Sequence, residues 1–155
     1  MDYVVLIIFV LLFVLLFVLL WNIGWDRQKL IQSTTDLWID NVTVKHDPKL
    51  ISDMFCSDGN LVGTVSQIIR KDEEIKEYFE YFAKLPGIKV LDKKYDISKV
   101  TNDVYINTAF ITWKWDNLDT PIVARMTFVY RFELFRPCIF QLHSSALPKL
   151  NPNIK

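Results

Sequence analysis

From Arg125 to Pro148 the chain reads Arg-Met-Thr-Phe-Val-Tyr-Arg-Phe-Glu-Leu-Phe-Arg-Pro-Cys-Ile-Phe-Gln-Leu-His-Ser-Ser-Ala-Leu-Pro. Apolar and aromatic residues fill nearly every position. The stretch predicts two long strands joined by a tight turn near Phe135 to Pro137, with both faces of the pair covered. It closes on His143-Ser144-Ser145, three polar side chains at the end of a greasy strand. Buried polar groups need partners, and a cluster of them at a strand end marks the mouth of a pocket. The upstream chain must therefore supply what covers this sheet.

The N-terminus carries a different constraint. Tyr3 to Trp21 holds no charge and no polar group other than the tyrosine hydroxyl. At about 1.5 Å per residue such a run approaches the ~30 Å hydrocarbon core of a bilayer. Trp21 and Trp25 follow where an aromatic belt would sit. A cleaved signal peptide would want a basic leading region, a shorter apolar core and an Ala-x-Ala site. Asp2 stands at the start instead, so the segment is expected to be an uncleaved transmembrane anchor. Arg27 and Lys29 flank its far end, and no Lys or Arg precedes it. The positive-inside tendency then places the C-terminal domain in the cytosol. Asn41-Val42-Thr43 matches a glycosylation sequon, which would matter only on the opposite side.

The full chain of 155 residues leaves room for one modest domain after the anchor. Hydrophobics at 51% and aromatics at 14% argue for a packed globule. Lys+Arg 18 against Asp+Glu 18 gives no net charge and no basic patch, so a nucleic-acid partner lacks electrostatic support. Cys56 and Cys138 are too few for a disulfide scaffold, and neither has a partner at metal-ligand spacing. They are expected to be half-buried thiols. No metal cluster, phosphate-cradling glycine loop or nucleophile triad is visible, and no cofactor is implied.

Between anchor and sheet, Asp26 to about Val42 predicts an amphipathic helix with Leu30, Ile31, Thr34, Leu37, Trp38 and Val42 on one face. Gly24 and Asp26 could break and cap it. Asp47-Pro48 reads as an N-cap and first-turn proline of a short helix. Ser57-Asp58-Gly59-Asn60 reads as a turn, and Leu61 to Val65 as a short strand. Asp72, Glu73 and Glu74 open a clearer helix, where the dipole favours anions, with Ile75, Tyr78, Phe79, Phe82 and Ala83 as its stripe. Pro86-Gly87 stops it. Ile88 to Val100, Val104 to Trp115, Ile122 to Phe135 and Cys138 to Leu147 then predict four long strands with short connections, hence antiparallel neighbours. Helices first and sheet afterwards is an α+β arrangement. The expected organisation is an anchor over 1–25, a domain over 26–150 and a tail over 151–155.

This order, with two of its motifs, resembles a known family. Helix, short helix, short strand, helix and a strand meander are similar to the nuclear transport factor 2-like (NTF2-like) fold, a curved antiparallel sheet wrapped on helices to form a cone. Asp58-Gly-Asn-Leu-Val-Gly-Thr-Val65 with Glu77-Tyr-Phe-Glu-Tyr-Phe82 and Pro86-Gly87 resembles the early part of SnoaL-like domains. Thr127-Phe-Val-Tyr130 with His143-Ser-Ser-Ala-Leu-Pro148 resembles the closing strands of calcium/calmodulin-dependent protein kinase II association domains. The likeness covers roughly residues 30 to 148. Those association domains carry pocket arginines at the positions matching Phe128 and Ser144. Neither is basic here, so recognition of an acidic ligand in that manner is not implied. Phe135-Arg-Pro-Cys138 replaces the family's polar turn, and Gln141 and Leu142 stand where relatives often hold a further His.

The resemblance implies a pocket lined by Phe128, Tyr130 and Ser144, with Trp113 or Trp115 closing the wall. It also implies pairing of sheets into a homodimer or larger homo-oligomer. His143 is the one candidate catalytic residue, either as a general base or as a hydrogen-bonded anchor of the strand end. Arg125 is expected to pair with a carboxylate, and His46 to be solvated. Two functions follow. One is a membrane-tethered module that binds a small apolar ligand and oligomerises without turnover. The other is a SnoaL-like isomerase, cyclase or hydratase using His143. The lack of a carboxylate among the pocket-facing residues favours the first.

Overall fold

A computed structural model describes residues 3–25, 27–64 and 66–148; within the first helix it describes the side chains of residues 3 and 5–18. The cap at Asp26, the side chains of Trp21 and Trp25, Val65 and the C-terminal tail lie outside the described residues. The element order is α1 (Tyr3–Trp25), α2 (Arg27–Asp40), a π-helical turn (Asn41–Lys45), α3 (Pro48–Ser52), β1 (Phe55–Val62), α4 (Glu73–Phe82), β2 (Lys89–Lys99), β3 (Val104–Lys114), β4 (Ile122–Glu133) and β5 (Arg136–Ala146).

The described side chains of α1 are apolar all round and exposed, Phe13 at 71% among them. Among the described residues no helix is long and apolar enough to cross a membrane.

The five strands form one sheet in the order β1-β5-β4-β3-β2. β2 to β5 are antiparallel, as their short connections require. β1 lies parallel to β5, so the sheet is mixed and not wholly antiparallel. Ser57 to Asn60 belong to β1 and do not form a free turn. The register slips between Phe55 and Asn60, and this bulge accounts for the turn-like composition. A Cβ on Gly59 would stand 2.7 Å from the Ile139 carbonyl oxygen, so only glycine allows the two backbones this close.

Two further expectations are corrected. The hairpin turns at Leu134-Phe135, and Arg136 and Pro137 already belong to β5, opposite Glu133 and Phe132. The sheet also has one buried face, not two. On β4 the buried residues are Ala124, Met126, Phe128, Tyr130 and Phe132, and the alternate positions are half-buried or exposed.

α2 and α4 cover the buried face. On α2 the buried residues are Ile31, Thr35, Trp38 and Ile39, while Leu30 and Leu37 are exposed. The stripe is thus rotated onto Thr35, whose hydroxyl finds partners in the sheet. Asp47 caps α3 as the sequence indicates, accepting from the Lys49 and Leu50 amides. Asn41 is 3% exposed, with its Nδ2 3.3 Å from Met54 Sδ and its Oδ1 accepting from Lys45. The sequon is closed to modification in the folded chain.

Cys56 and Cys138 are not thiols. They form a disulfide with Cα atoms 5.0 Å apart, tying β1 to β5 across 82 residues. Arg131 reinforces the same corner, bonding to Asp58 at 2.6 and 3.0 Å and to Glu133 at 2.6 Å. The bonded guanidinium holds the Asp58 carboxyl below its usual range. A cross-link of this span stabilises chiefly by restricting the unfolded chain. Replacing both cysteines by serine is expected to lower unfolding free energy by about 2–5 kcal/mol. Urea titration of the two proteins measures it, and equal midpoints would refute it.

Candidate functional site

The helices and one end of the sheet enclose a cavity of about 160 Å³. Trp38 on α2 and Tyr78, Phe79 and Phe82 on α4 form its helical side. Ala124 and Met126 on β4, Leu142 on β5, Leu61 on β1 and Trp113 on β3 form its sheet side. Thr64, Trp115, Ile122 and Ser144 also line it and are half-buried or exposed, so they mark the mouth.

Aromatic rings set its shape. Trp38 meets Phe79, Trp113 and Phe128 edge-on at centroid distances of 5.8, 6.3 and 5.3 Å. Phe82 meets Trp113 edge-on at 5.3 Å. Such pairs add about 0.5–1.5 kcal/mol each beyond area burial. Gly63 allows Tyr78 its place, because a Cβ there would stand 2.5 Å from the Tyr78 ring.

The polar groups of the cavity are few. Thr64 and Ser144 share a hydrogen bond at 2.6 Å in the mouth. Trp38 Nε1 is buried without a partner. No Asp, Glu, His, Lys, Arg or Cys is among the described lining residues.

The structure divides the residues singled out from sequence. Trp113, Trp115 and Ser144 line the cavity. Phe128 and Tyr130 share the inward face of β4 but stand deeper, in the packed core, and do not line it. Phe128 and Tyr130 stack at 5.8 Å with their planes 8° apart. His143 is exposed, opposite Thr127 and between the cavity-lining Leu142 and Ser144, so strand alternation turns it to the outer face. Arg125 bonds across the strands to Ser145 Oγ at 3.3 Å, where a carboxylate partner was anticipated. His46 is exposed, and its Nδ1 lies 2.8 Å from the Ala83 carbonyl. Sequence reasoning missed Trp38, Leu61, Gly63, Thr64, Ile122, Ala124, Met126 and Leu142 as lining residues. Met126 and Ala124 were legible in principle, being in phase with Phe128.

Below the cavity lies a buried polar cluster. The Thr35 hydroxyl donates to the Ile31 carbonyl at 3.0 Å and accepts from Asn107 Nδ2 at 2.9 Å. Its second lone pair accepts from Tyr130 Oη at 2.9 Å, which makes Tyr130 the donor. Burial pushes the Tyr130 phenol well above its ordinary value. Tyr95 is pushed up by its own burial and by donating to Asp36 at 2.7 Å. Cys56, Glu133 and Cys138 group within 4.8 Å, but the disulfide removes both sulfurs as metal ligands.

A curved mixed sheet on helices, with an aromatic cavity between them, defines the NTF2-like α+β fold. Comparison with solved structures agrees. The chain is similar to a Xanthomonas campestris protein assigned as a calcium/calmodulin-dependent protein kinase II association domain, at 27% identity and TM-score 0.68, over 77% of this chain and 87% of that one. It is also similar to a Streptomyces avermitilis protein assigned as a dehydratase of the NTF2-like family, at 11% identity and TM-score 0.70, over 80% and 98%. A ketosteroid isomerase-like protein from Erwinia carotovora atroseptica aligns at 14% identity and TM-score 0.61, over 80% and 98%. No family model matches the sequence, and no curated protein does.

Raised phenol values have a definite sign. A phenol whose folded pKa exceeds its unfolded value contributes stability that is whole below about pH 10 and is lost as pH rises beyond. Unfolding free energy is therefore expected to fall above pH 10, and to fall less steeply in Tyr130→Phe and Tyr95→Phe. Denaturant midpoints between pH 9 and 11.5 measure this; parallel curves for all three proteins would contradict it.

Proposed function

We propose that this protein is a membrane-tethered NTF2-like module that binds a small, single-ring aromatic or similarly apolar ligand without turning it over. The observation that carries this is the cavity lining, in which aromatic and aliphatic side chains predominate and no carboxylate, imidazole or amine stands among the described residues, Tyr78 supplying the one phenol. Its size, about 160 Å³, is close to the roughly 150 Å³ of apolar cavities that hold benzene. Thr64 and Ser144 offer hydroxyls at the mouth to one polar substituent.

Turnover of the kind named for the dehydratase and isomerase-like neighbours would need a proton acceptor facing the ligand. His143 lies outside the cavity, which favours binding over that reading. Tethering rests on α1, whose described apolar side chains are largely exposed, Phe9 at 68% and Phe13 at 71% among them. The disulfide bears on orientation. Such bonds persist in oxidising compartments, so it favours placing the domain outside the cytosol, against the charge bias of Arg27 and Lys29. The outer sheet face offers Phe110 beside Thr108, Arg125 and His143, a mostly polar surface.

The test is a titration of the full chain, in detergent micelles, with phenol, indole and toluene, followed by tryptophan fluorescence. Ala124→Phe, which fills the cavity, is expected to weaken binding by about tenfold or more, equivalent to about 1.4 kcal/mol. His143→Ala is expected to leave binding unchanged. Equal affinities for the wild type and Ala124→Phe, or no binding at all, would overturn the cavity as a ligand site. Extraction of the membrane fraction with alkaline carbonate tests the tether, since release of the chain into the supernatant would refute it.

A further inference from the structure

We infer that the Leu134-Phe135 hairpin tip, with Val100 on the neighbouring hairpin, rests in the lipid surface beside the N-terminal helix. This inference builds on the proposed tether. Leu134 and Phe135 are 89% and 82% exposed, and Val100 is 55% exposed. Leu134 and Phe135 form the two-residue turn between the paired Glu133 and Arg136. Leu134 has φ of 59°, the left-handed region that a two-residue hairpin turn normally fills with Gly, Asn or Asp. The chain thus sets a leucine where folding prefers glycine and follows it with an exposed phenylalanine. A break with local turn chemistry that gains nothing in the fold points to a role outside it.

The position of the tip says which role. Arg27, the first residue of α2, bonds to the Asn102 carbonyl, forms a 3.3 Å ion pair with Asp103 and lies 4.5 Å over the Phe132 ring. The Phe132 amide donates to the Asp103 carbonyl at 2.8 Å. Both hairpin tips therefore stand beside the start of α2. Trp25, the last residue of α1, is two positions from Arg27, no more than about 7 Å along the chain. Whatever direction α1 takes, it leaves the domain at the end that carries Leu134, Phe135 and Val100. Exposed Lys99 and Arg136 flank these apolar groups, the pattern of an interfacial lipid contact.

The contact would fix the domain's orientation. The cavity mouth, at Thr64, Ser144 and Ile122, lies at the other end of β4. Met126 and Glu133 are seven residues apart on that strand, roughly 23 Å. The mouth would then open away from the bilayer, and the ligand would enter from water.

The test uses the full chain in phosphatidylcholine–phosphatidylglycerol vesicles, carrying a benzophenone-bearing phenylalanine at position 135, 13 or 81 in turn. Position 13 lies on α1, and Tyr81 is an exposed residue at the far end of α4. After irradiation, mass spectrometry is expected to find lipid adducts at 13 and 135 and none at 81. Lipid at 13 with none at 135, or cross-links from 135 to a second copy, would overturn the inference and leave the tether standing. No lipid at either position would overturn the tether and the inference with it. A second measurement uses Leu134→Gly combined with Phe135→Asn, which restores ordinary turn chemistry. Its Tm in micelles is expected to match or exceed that of the wild type; a lower Tm would assign the pair to folding.

Discussion

Trp38 is the contact on which the rest of this domain depends. One indole on α2 meets α4 through Phe79, β3 through Trp113 and β4 through Phe128. Burying a side chain of this size is a large apolar gain, and edge-on geometry adds to it. The same ring lines the cavity, so the packing that closes the core also leaves the space beside it. Three rings held edge-on leave a gap that none of them can rotate to fill. The cavity is thus a consequence of how α2 is pinned.

A buried hydroxyl fixes the rotation of α2 together with the Asp36–Tyr95 bond at its rim. A helix resting on a sheet through apolar groups alone can turn by tens of degrees at little cost. Thr35 removes that freedom by meeting Asn107 on β3 and Tyr130 on β4 together. A slip would leave Asn107 Nδ2 and Tyr130 Oη buried without partners, each costing about 1–3 kcal/mol, while Thr35 would keep its bond to the Ile31 carbonyl. Asn107 Oδ1 and Trp38 Nε1 remain buried and unpaired in this arrangement. The network is therefore satisfied at its hydroxyl and incomplete at its margins.

How much of this was legible in the sequence follows from the range of each signal. The four long strands and α4 show their periods over ten or more residues, and the structure bounds them within two residues of expectation. Asp47-Pro48 is a local cap signal and reads correctly. The rest depends on partners far along the chain. β1 looks like a turn because its bulge requires Gly59 to approach Ile139, 80 residues away. The disulfide has no spacing signature at a separation of 82. Thr35 looks solvent-facing until its sheet partners are known. The hairpin reads as Arg136-Pro137 because Leu134-Phe135 carries none of the usual turn residues. For the site, strand alternation was sufficient to give the inward face of β4, but not how far along it the space opens. That depends on where Phe79 and Phe82 of α4 come to rest.

The chemistry of the cavity follows from the same geometry. β5 carries Leu142 and Ser144 inward, so its one imidazole, at His143, must face out. Shifting β5 by one residue would bring His143 inward, but it would also expose Leu142 and break the pairing of Ile139 with both β1 and β4. The disulfide at Cys138 sits a few residues upstream and ties this register to β1. Among the described residues, what lines the cavity is a set of aromatic rings, Tyr78 with its phenol among them, with the Thr64 and Ser144 hydroxyls at the lip. The phase of one strand thus decides which of its polar side chains reach the cavity.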